Sequence, residues 1–377
     1  MLPSDSYRGQ LEDWQPVIQE SPTVRGRPEM ATLLNTEDFQ KVAQKSMGHA
    51  EYVYYSSAAE DEFTVAENQA TFKNWRFRPR ILVDVSNVDT STTILGFPTA
   101  YPLFLSASAL SGLAHPEAEL ALARATKAVG VPQMVPTVSS RTHEEIASAR
   151  PEGHIQFFQL YVNRDHEVTK SLVKKVEALG YQAIFLTVDT PFLGRRESDL
   201  RNTFGSGNGV IRSLGTLSDP SLTWDFVDWL MSITTLPIVL KGVQRGDDSQ
   251  TAARHGVAGI LVSNHGGRQL DGARASLDVL EEVIDSLGPQ TKMEVYLDGG
   301  IRRGSDIVKA LALGARAVGV TRPVIYGLAG YGEEGAKAVL SLLHEETKLC
   351  MALCGAPDVG RITRDLIVRK PTGNPTG

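Results

Sequence analysis

From residue 101 onward, short apolar runs alternate with longer stretches whose apolar residues recur every three or four positions. The short runs, at 102–105, 132–135, 155–160, 183–188, 237–240, 259–262, 294–297 and 317–320, have the length of buried strands. Between them, stretches such as 117–129, 167–179, 276–287 and 304–313 read as amphipathic helices. Eight such units predict an α/β fold, a closed (β/α)8 TIM barrel, which uses ~250 residues, before the open doubly wound sheet that also alternates strand and helix. Residues 1–32 carry Ser, Pro, Arg and acids without periodicity and are expected to be a loose arm. Helical signals begin at Asn35-Thr36-Glu37-Asp38, a capping residue followed by first-turn acids. Residues 33–100 are therefore expected to form a helical segment packing on a barrel at 101–366, with 367–377 a tail.

Composition narrows the partners. Hydrophobic residues at 42% and charged residues at 22% of 377 are ordinary for a globular chain. The net charge of −6, with basic residues dispersed, speaks against a nucleic-acid footprint or a polybasic membrane anchor, so small ligands are expected. No apolar run reaches the ~18 residues of a membrane span, and the polar start has no signal-peptide core. The last residues, Asn374-Pro375-Thr376-Gly377, are not a Ser-Lys-Leu type tail, and an intracellular location, cytoplasm or an organelle, is expected. Cys350 and Cys354 lie four apart without nearby His, so neither a metal nor a disulfide is expected there.

In such a barrel, active sites form at the C-terminal ends of the strands. Polar residues gather at those ends: Ser106 and Ser108, Gln159 and Tyr161, Thr187 and Asp189, Lys241, Ser263 and His265, Asp298, Thr321 and Arg322. After the sixth run, His265 and Arg268 set a base beside a two-pronged carboxylate clamp, and Gly266 and Gly267 would let backbone approach a ligand. Taken alone, a buried His near an Arg is more often structural. The segment Asp298-Gly299-Gly300-Ile301-Arg302, together with Thr321-Arg322, suits a phosphate bound between the last two loops, although the glycines could simply make a tight turn. Lys241 is expected to point inward and to face a negative charge supplied by ligand. A Schiff-base lysine is the rival use, but it leaves His265 and Arg268 without tasks.

The runs SNHGGRQLD (263–271), LDGGIRRG (297–304), FFQLYV (157–162), LTVDTPFLGRRE (186–197) and EYVYYSSAAEDEFT (51–64) resemble the FMN-dependent α-hydroxy-acid-oxidising family over about residues 33–363. The resemblance implies FMN as cofactor and His265 as base, with Asp189 orienting it and Tyr161 bonding the substrate oxygen. It further implies that Arg268, Arg196 and Tyr54 hold the substrate carboxylate. Lys241 would sit near flavin N1, with Ser106, Ala107, Ser108, Gln159, Thr187 and Ser263 around the ring. Asp298, Gly299, Gly300, Arg302, Thr321 and Arg322 would hold ribityl and phosphate. No metal is implied. The activity implied is oxidation of an L-2-hydroxy acid to the 2-oxo acid by a homotetramer, with dioxygen reduced to hydrogen peroxide; Ala109 favours oxidase over monooxygenase behaviour.

Departures from the glycolate oxidases bear on the substrate. Ser106-Ala107-Ser108-Ala109-Leu110 replaces a proline-containing loop, Thr321 stands where Gly is usual, and Val138 replaces a large aromatic, which is expected to widen the pocket. Residues 201–223, with Gly205, Gly207 and Gly209, read either as a short flexible lid or as a trimmed surface loop without consequence for the site. A substrate bulkier than glycolate follows. Two alternatives stay open: the same site serving a larger specialised metabolite by oxidative decarboxylation, monooxygenation or amine oxidation, and a dehydrogenase using another electron acceptor.

Overall fold

The computed structural model of the chain describes residues 27–202 and 218–371. Three helices come first, α1 (Thr36–Ser46), α2 (His49–Ser56) and α3 (Phe63–Ala70). α1 begins where the sequence predicts, because Asn35 Oδ1 accepts the Asp38 amide at 3.0 Å and Glu37 and Asp38 occupy the positively polarised first turn. Strand β1 (Trp75–Phe77) and the hairpin β2 (Thr92–Ile94) and β3 (Phe97–Thr99) follow. The hairpin turns at Leu95-Gly96, both at positive φ, and drives Ile94 into the bottom of the barrel.

Eight parallel strands close on themselves: β4 (Leu103–Leu105), β5 (Gln133–Pro136), β6 (Gln156–Leu160), β7 (Ile184–Thr187), β8 (Ile238–Val243), β9 (Gly259–Val262), β10 (Glu294–Asp298) and β11 (Ala317–Val320), which pairs back onto β4. Every predicted run became a strand. β8 continues past the apolar run because its pairing with β9 crosses an irregularity between Lys241 and Val243. Around the strands lie α4 (Ala118–Val129), α5 (His143–Ser148), α6 (His166–Ala178), α7 (Glu197–Arg201), α8 (Trp224–Ile233), α9 (Gly246–His255), α10 (Ser276–Leu287), α11 (Gly304–Ala312) and α12 (Arg322–Cys354).

Strand alternation produces two cores. Phe104, Met134, Phe157, Phe185, Val239, Leu261, Tyr296 and Ala317, one from each strand, fill the barrel interior. Their neighbours Leu105, Val135, Phe158, Ile184, Leu240, Ile260, Leu297 and Val318 face the helices. A plugged interior leaves the C-terminal rim as the place where strand ends can meet a ligand.

Of the expected arm, residues 1–26 lie outside the described residues, and Met30–Thr32 form a single 3-10 turn. Most of the expected lid, 203–217, also lies outside them, Gly205, Gly207 and Gly209 included. The expected tail begins instead with β12 (Ile367–Arg369), paired antiparallel with β1, so the chain's last described strand ties down its first. Residues 372–377 are outside the described residues. Cys350 and Cys354 are free thiols on α12, and among the described residues no His, Cys, Asp or Glu cluster could hold a metal. No described helix is long and apolar enough to cross a membrane.

Candidate active site

One cavity opens at the C-terminal rim, and most of the predicted site residues line it. Tyr54 comes from α2; Ala107 and Ser108 follow β4; Gln159 and Tyr161 end β6; Thr187 ends β7; Arg196 precedes α7; and Lys241 lies in β8. His265 and Arg268 follow β9, Asp298, Gly299, Gly300 and Arg302 close β10, and Thr321 and Arg322 close β11. Asp189, Ser106 and Ser263 stand behind this wall and brace it. Ser263 Oγ accepts the His265 amide at 3.1 Å and lies 3.4 Å from Lys241 Nζ, while Ser106 Oγ donates to Asp298 Oδ2 at 3.3 Å. Gln159 spans two loops: its Nε2 donates to Thr187 Oγ1 at 2.9 Å and its Oε1 accepts the Thr137 amide at 3.2 Å.

The charge pattern fixes the state of His265. Burial alone would raise the Asp189 carboxyl, but His265 and Lys241 pull it well below the usual carboxylate range, so it is an anion that can only accept. His265 Nδ1 therefore carries a proton and donates it to Asp189 Oδ1 at 2.9 Å, which leaves the Nε2 lone pair toward Tyr161, whose hydroxyl is 3.4 Å away. Burial lowers the imidazole pKa below its ordinary value, with Asp189 opposing, and the ring is neutral near pH 7. Such a ring is ready to take a proton. Lys241 is not the lone cation the sequence suggested: Asp189 Oδ2 lies 4.0 Å from its Nζ, and although burial lowers its pKa, Asp189 and Asp298 raise it above the ordinary lysine value. Gly242, at φ +112°, makes this possible, because a Cβ there would fall 2.5 Å from Asp189 Cβ.

Four arginines make the cavity an anion site. Among the described residues, none of Arg196, Arg268, Arg302 and Arg322 has a carboxylate within ion-pair distance; Arg302 Nη1 donates to the Ile301 carbonyl and Arg322 Nη2 to that of Gly266, each at 2.8 Å. Burial first, and the neighbouring guanidinium second, brings Arg196 and Arg322 down to about 10, so both stay charged at neutral pH. The two-pronged clamp expected of Arg268 is half committed. Its Nη1 donates to the carbonyls of Tyr54 (2.6 Å) and Ser57 (2.9 Å), and its guanidinium lies 5.2 Å from the Tyr54 ring centre. Arg196 Nε donates to the Arg268 carbonyl at 3.1 Å, which sets the two cations side by side.

Two glycines serve packing more than ligand approach. A Cβ on Gly267 would stand 2.7 Å from the Val65 amide nitrogen, and one on Gly300 only 1.9 Å from the Asn68 carbonyl, so α3 rests directly on the loops after β9 and β10. Gly300 is also at φ +85°. Gly300→Ala is accordingly expected to cost roughly 2–4 kcal/mol, from left-handed strain plus overpacking, as a lower urea midpoint with unchanged slope. Val138 is a further correction. It is buried in the outer core, its carbonyl taking the Leu110 amide, and it is not on the cavity wall, where Pro136 represents that loop.

Several site residues escaped the sequence reading. Tyr55, Thr190, Leu193 and Ser218 also line the cavity. Asp199 is buried near Arg196 and Arg268; burial raises its carboxyl, the two arginines oppose, and its Oδ2 has no hydrogen-bond partner. Glu119, inside α4, accepts the amides of Ser111 (3.2 Å), Ser140 (3.0 Å) and Arg141 (3.2 Å), tying together the loops after β4 and β5. Its one signal was an acid at a buried helical position. Gln269 and Asp271 were within the quoted motif but unassigned: Gln269 Nε2 donates to the Asp189 and Phe192 carbonyls, and Asp271 caps α3 by accepting the Thr64 amide at 2.8 Å.

Residues 43–369 match the family described as FMN-dependent dehydrogenase. The chain belongs to this family. Among its relatives, human 2-hydroxyacid oxidase 1 is 42% identical across 90% of this chain and 97% of its own. Glycolate oxidase of Spinacia oleracea is 43% identical across 89% and 95%. The recombinant flavin-binding domain of baker's yeast flavocytochrome b2 superposes with a TM-score of 0.86 at 43% identity, covering 90% of this chain and 88% of the other. This member of the FMN-dependent dehydrogenase family is thus an FMN-dependent oxidoreductase acting on 2-hydroxy acids. Its cavity fits the cofactor: Arg302 and Arg322 are half-buried cations with no carboxylate partner among the described residues, which suits an anion, and the buried Asp298 Oδ1 has no partner and can take a hydroxyl.

Proposed function

We propose that the protein is an L-2-hydroxy-acid oxidase that converts its substrate to the 2-oxo acid and passes the electrons to dioxygen, releasing hydrogen peroxide. The observation that carries this reading is His265: an imidazole whose Asp189 partner fixes its tautomer, with Nε2 lining the same cavity as Arg196 and Arg268. Arg196 and the uncommitted nitrogens of Arg268 bind the carboxylate, and Tyr54, packed under Arg268, adds its phenol to that end. Holding the acid by its carboxylate presents its C2 carbon and hydroxyl to His265 and Tyr161 and replaces an entropic search by a bound geometry. Burial raises the Tyr161 phenol above its ordinary pKa, so it stays protonated and can donate to the substrate oxygen.

The oxidation removes two protons and two electrons. His265 Nε2 accepts one proton, and Asp189 stabilises the imidazolium that results. FMN, when bound, would supply the acceptor for the electron pair and for the second proton. In this reading Arg302, Arg322, Thr321, Gly299, Gly300 and Asp298 hold its phosphate and ribityl chain. Ala107, Ser108, Gln159 and Thr187 contact the ring from the cavity wall, while Ser106 and Ser263 support that wall from behind. Lys241, positively charged and turned to the cavity, would stabilise negative charge on the ring.

Ala109, Thr190 and Ser218 put short side chains on the cavity wall, and this supports a substrate larger than glycolate. Anaerobic mixing of the yellow holoenzyme with a series of L-2-hydroxy acids is expected to bleach it, with larger aliphatic or aromatic acids faster than glycolate. If glycolate is the fastest by far, the size reading fails. On admitting air, one hydrogen peroxide per oxygen consumed supports the oxidase. The likeness to a flavocytochrome b2 domain favours a second reading, a dehydrogenase, which slow reoxidation by oxygen beside fast reoxidation by an artificial acceptor would support.

A further inference from the structure

His265 is held in a conformation that side chains rarely adopt. Its φ is +58°, and Gly266 and Gly267 follow at +66° and +80°, so three consecutive residues are left-handed. A non-glycine residue persists there only when its surroundings over-determine it. The residue before the turn, Asn264, is 2% exposed, and its amide is fully engaged. Oδ1 accepts the Gly267 amide at 3.1 Å and Asn68 Nδ2 at 2.8 Å; Nδ2 donates to Asn68 Oδ1 at 2.8 Å and to the Arg274 carbonyl at 3.0 Å. Asn68, on α3, is 0% exposed, and its Oδ1 also accepts the Ser276 amide at 3.1 Å. Backbone donors settle which end of each amide is oxygen: Gly267 N–H can bond only an oxygen of Asn264, and Ser276 N–H only one of Asn68.

The two amides therefore form a closed, reciprocal pair linking the N-terminal helical segment to the turn that carries His265. α3 cannot slide to relax it. Gly267 and Gly300 receive the helix at contact distance, and Asp271 holds its first amides. A pair worth only two hydrogen bonds can then control where an imidazole points, because the competing backbone conformation is the ordinary one.

We propose that Asn68 is a positioning residue for proton transfer: through Asn264 it keeps His265 left-handed, so that the imidazole meets Asp189 on one side and the cavity on the other. This rests on His265 being the base. The helical segment outside the barrel is then part of the reaction machinery as well as a cover.

The test compares the wild-type, Asn68→Ala and Thr64→Val holoenzymes. Thr64 lies on the same helix and its hydroxyl bonds the Ala273 carbonyl at 3.3 Å, outside the hydrogen bonds of the amide pair. In Asn68→Ala the limiting rate of anaerobic flavin reduction is expected to fall by roughly 10²-fold, the cost of a misplaced reacting group, while substrate and FMN dissociation constants change less than about threefold. The titration midpoint of His265, followed by nitrogen NMR with labelled histidine in the oxidised holoenzyme, should move in Asn68→Ala and stay put in Thr64→Val. An unmoved midpoint with an unchanged rate overturns the proposal, as does an equal rate loss in Thr64→Val. If Asn68→Ala does not fold, Asn68→Asp decides. Its oxygens still satisfy Asn264 and Ser276, and the lost donor returns when the carboxyl, its pKa raised by burial, is protonated. Its rate relative to wild type should rise as pH falls, and a pH-independent ratio overturns the role. A wild-type enzyme that no 2-hydroxy acid reduces would instead refute the proposed function.

Discussion

Replacing His265 with Gln is expected to slow flavin reduction by a 2-hydroxy acid by ~10²–10⁴-fold, the contribution of a general base. Glutamine is close in size and can still hydrogen-bond Asp189, yet its amide accepts no proton at any working pH. FMN binding should be unchanged, because in the proposed reading the cofactor's anion is held by Arg302 and Arg322, whose charges the substitution leaves in place. Stopped-flow absorbance in the absence of oxygen reads the first quantity and flavin release the second; reduction within tenfold of wild type would remove His265 from the role of base. The wild-type pH profile follows from the same ring. Because burial places its pKa below the ordinary ~6.5, kcat/KM should rise with pH through a value under 6.5 and then level off. A limb rising only above pH 7 would contradict the buried, neutral imidazole.

Asp189→Asn should cost about as much, ~10²–10⁴-fold, by a different route. An amide at this position can turn its N–H toward His265 Nδ1, which moves the ring proton to Nε2 and removes the lone pair from the cavity. It also takes away the negative charge that stabilises the imidazolium and leaves Lys241 without its partner at 4.0 Å. Two consequences separate this from a general loss of folding. Asp189 raises the His265 pKa, so in Asp189→Asn the residual activity should keep its acid limb but at lower pH than wild type. And since the two residues act as one unit, the double variant with His265→Gln should be little slower than either single one. Multiplicative losses, or an acid limb shifted upward, would count against the pair.

Of the predicted site residues, all but Asp189, Ser106 and Ser263 line one cavity. Parallel strands buried on both faces must be apolar almost throughout, so a polar residue at the end of such a run marks the rim, and Lys241, His265, Asp298 and Arg322 were visible for that reason. Partnership was not visible. Asp189 with His265 entered through resemblance, and nothing in spacing could have shown that Lys241 shares the same carboxylate or that Arg268 spends one nitrogen on the carbonyls of α2 and the residues after it. Glu119 and Asn68 looked like ordinary polar positions on helices, and Val138 like a pocket residue.

What the sequence by itself determined was the order and type of the elements, because strand alternation, helical periodicity and the Asn35 cap are local signals read within a few residues. It also determined which functional groups the rim would carry. Only the tertiary structure decided what those groups do to one another. Asn68 and Asn264 are 196 residues apart, and Gly300 is read as a phosphate turn until α3 is seen lying against it. Such contacts depend on packing between elements, whose specificity lies in shape and in the satisfaction of buried polar groups rather than in any periodic pattern.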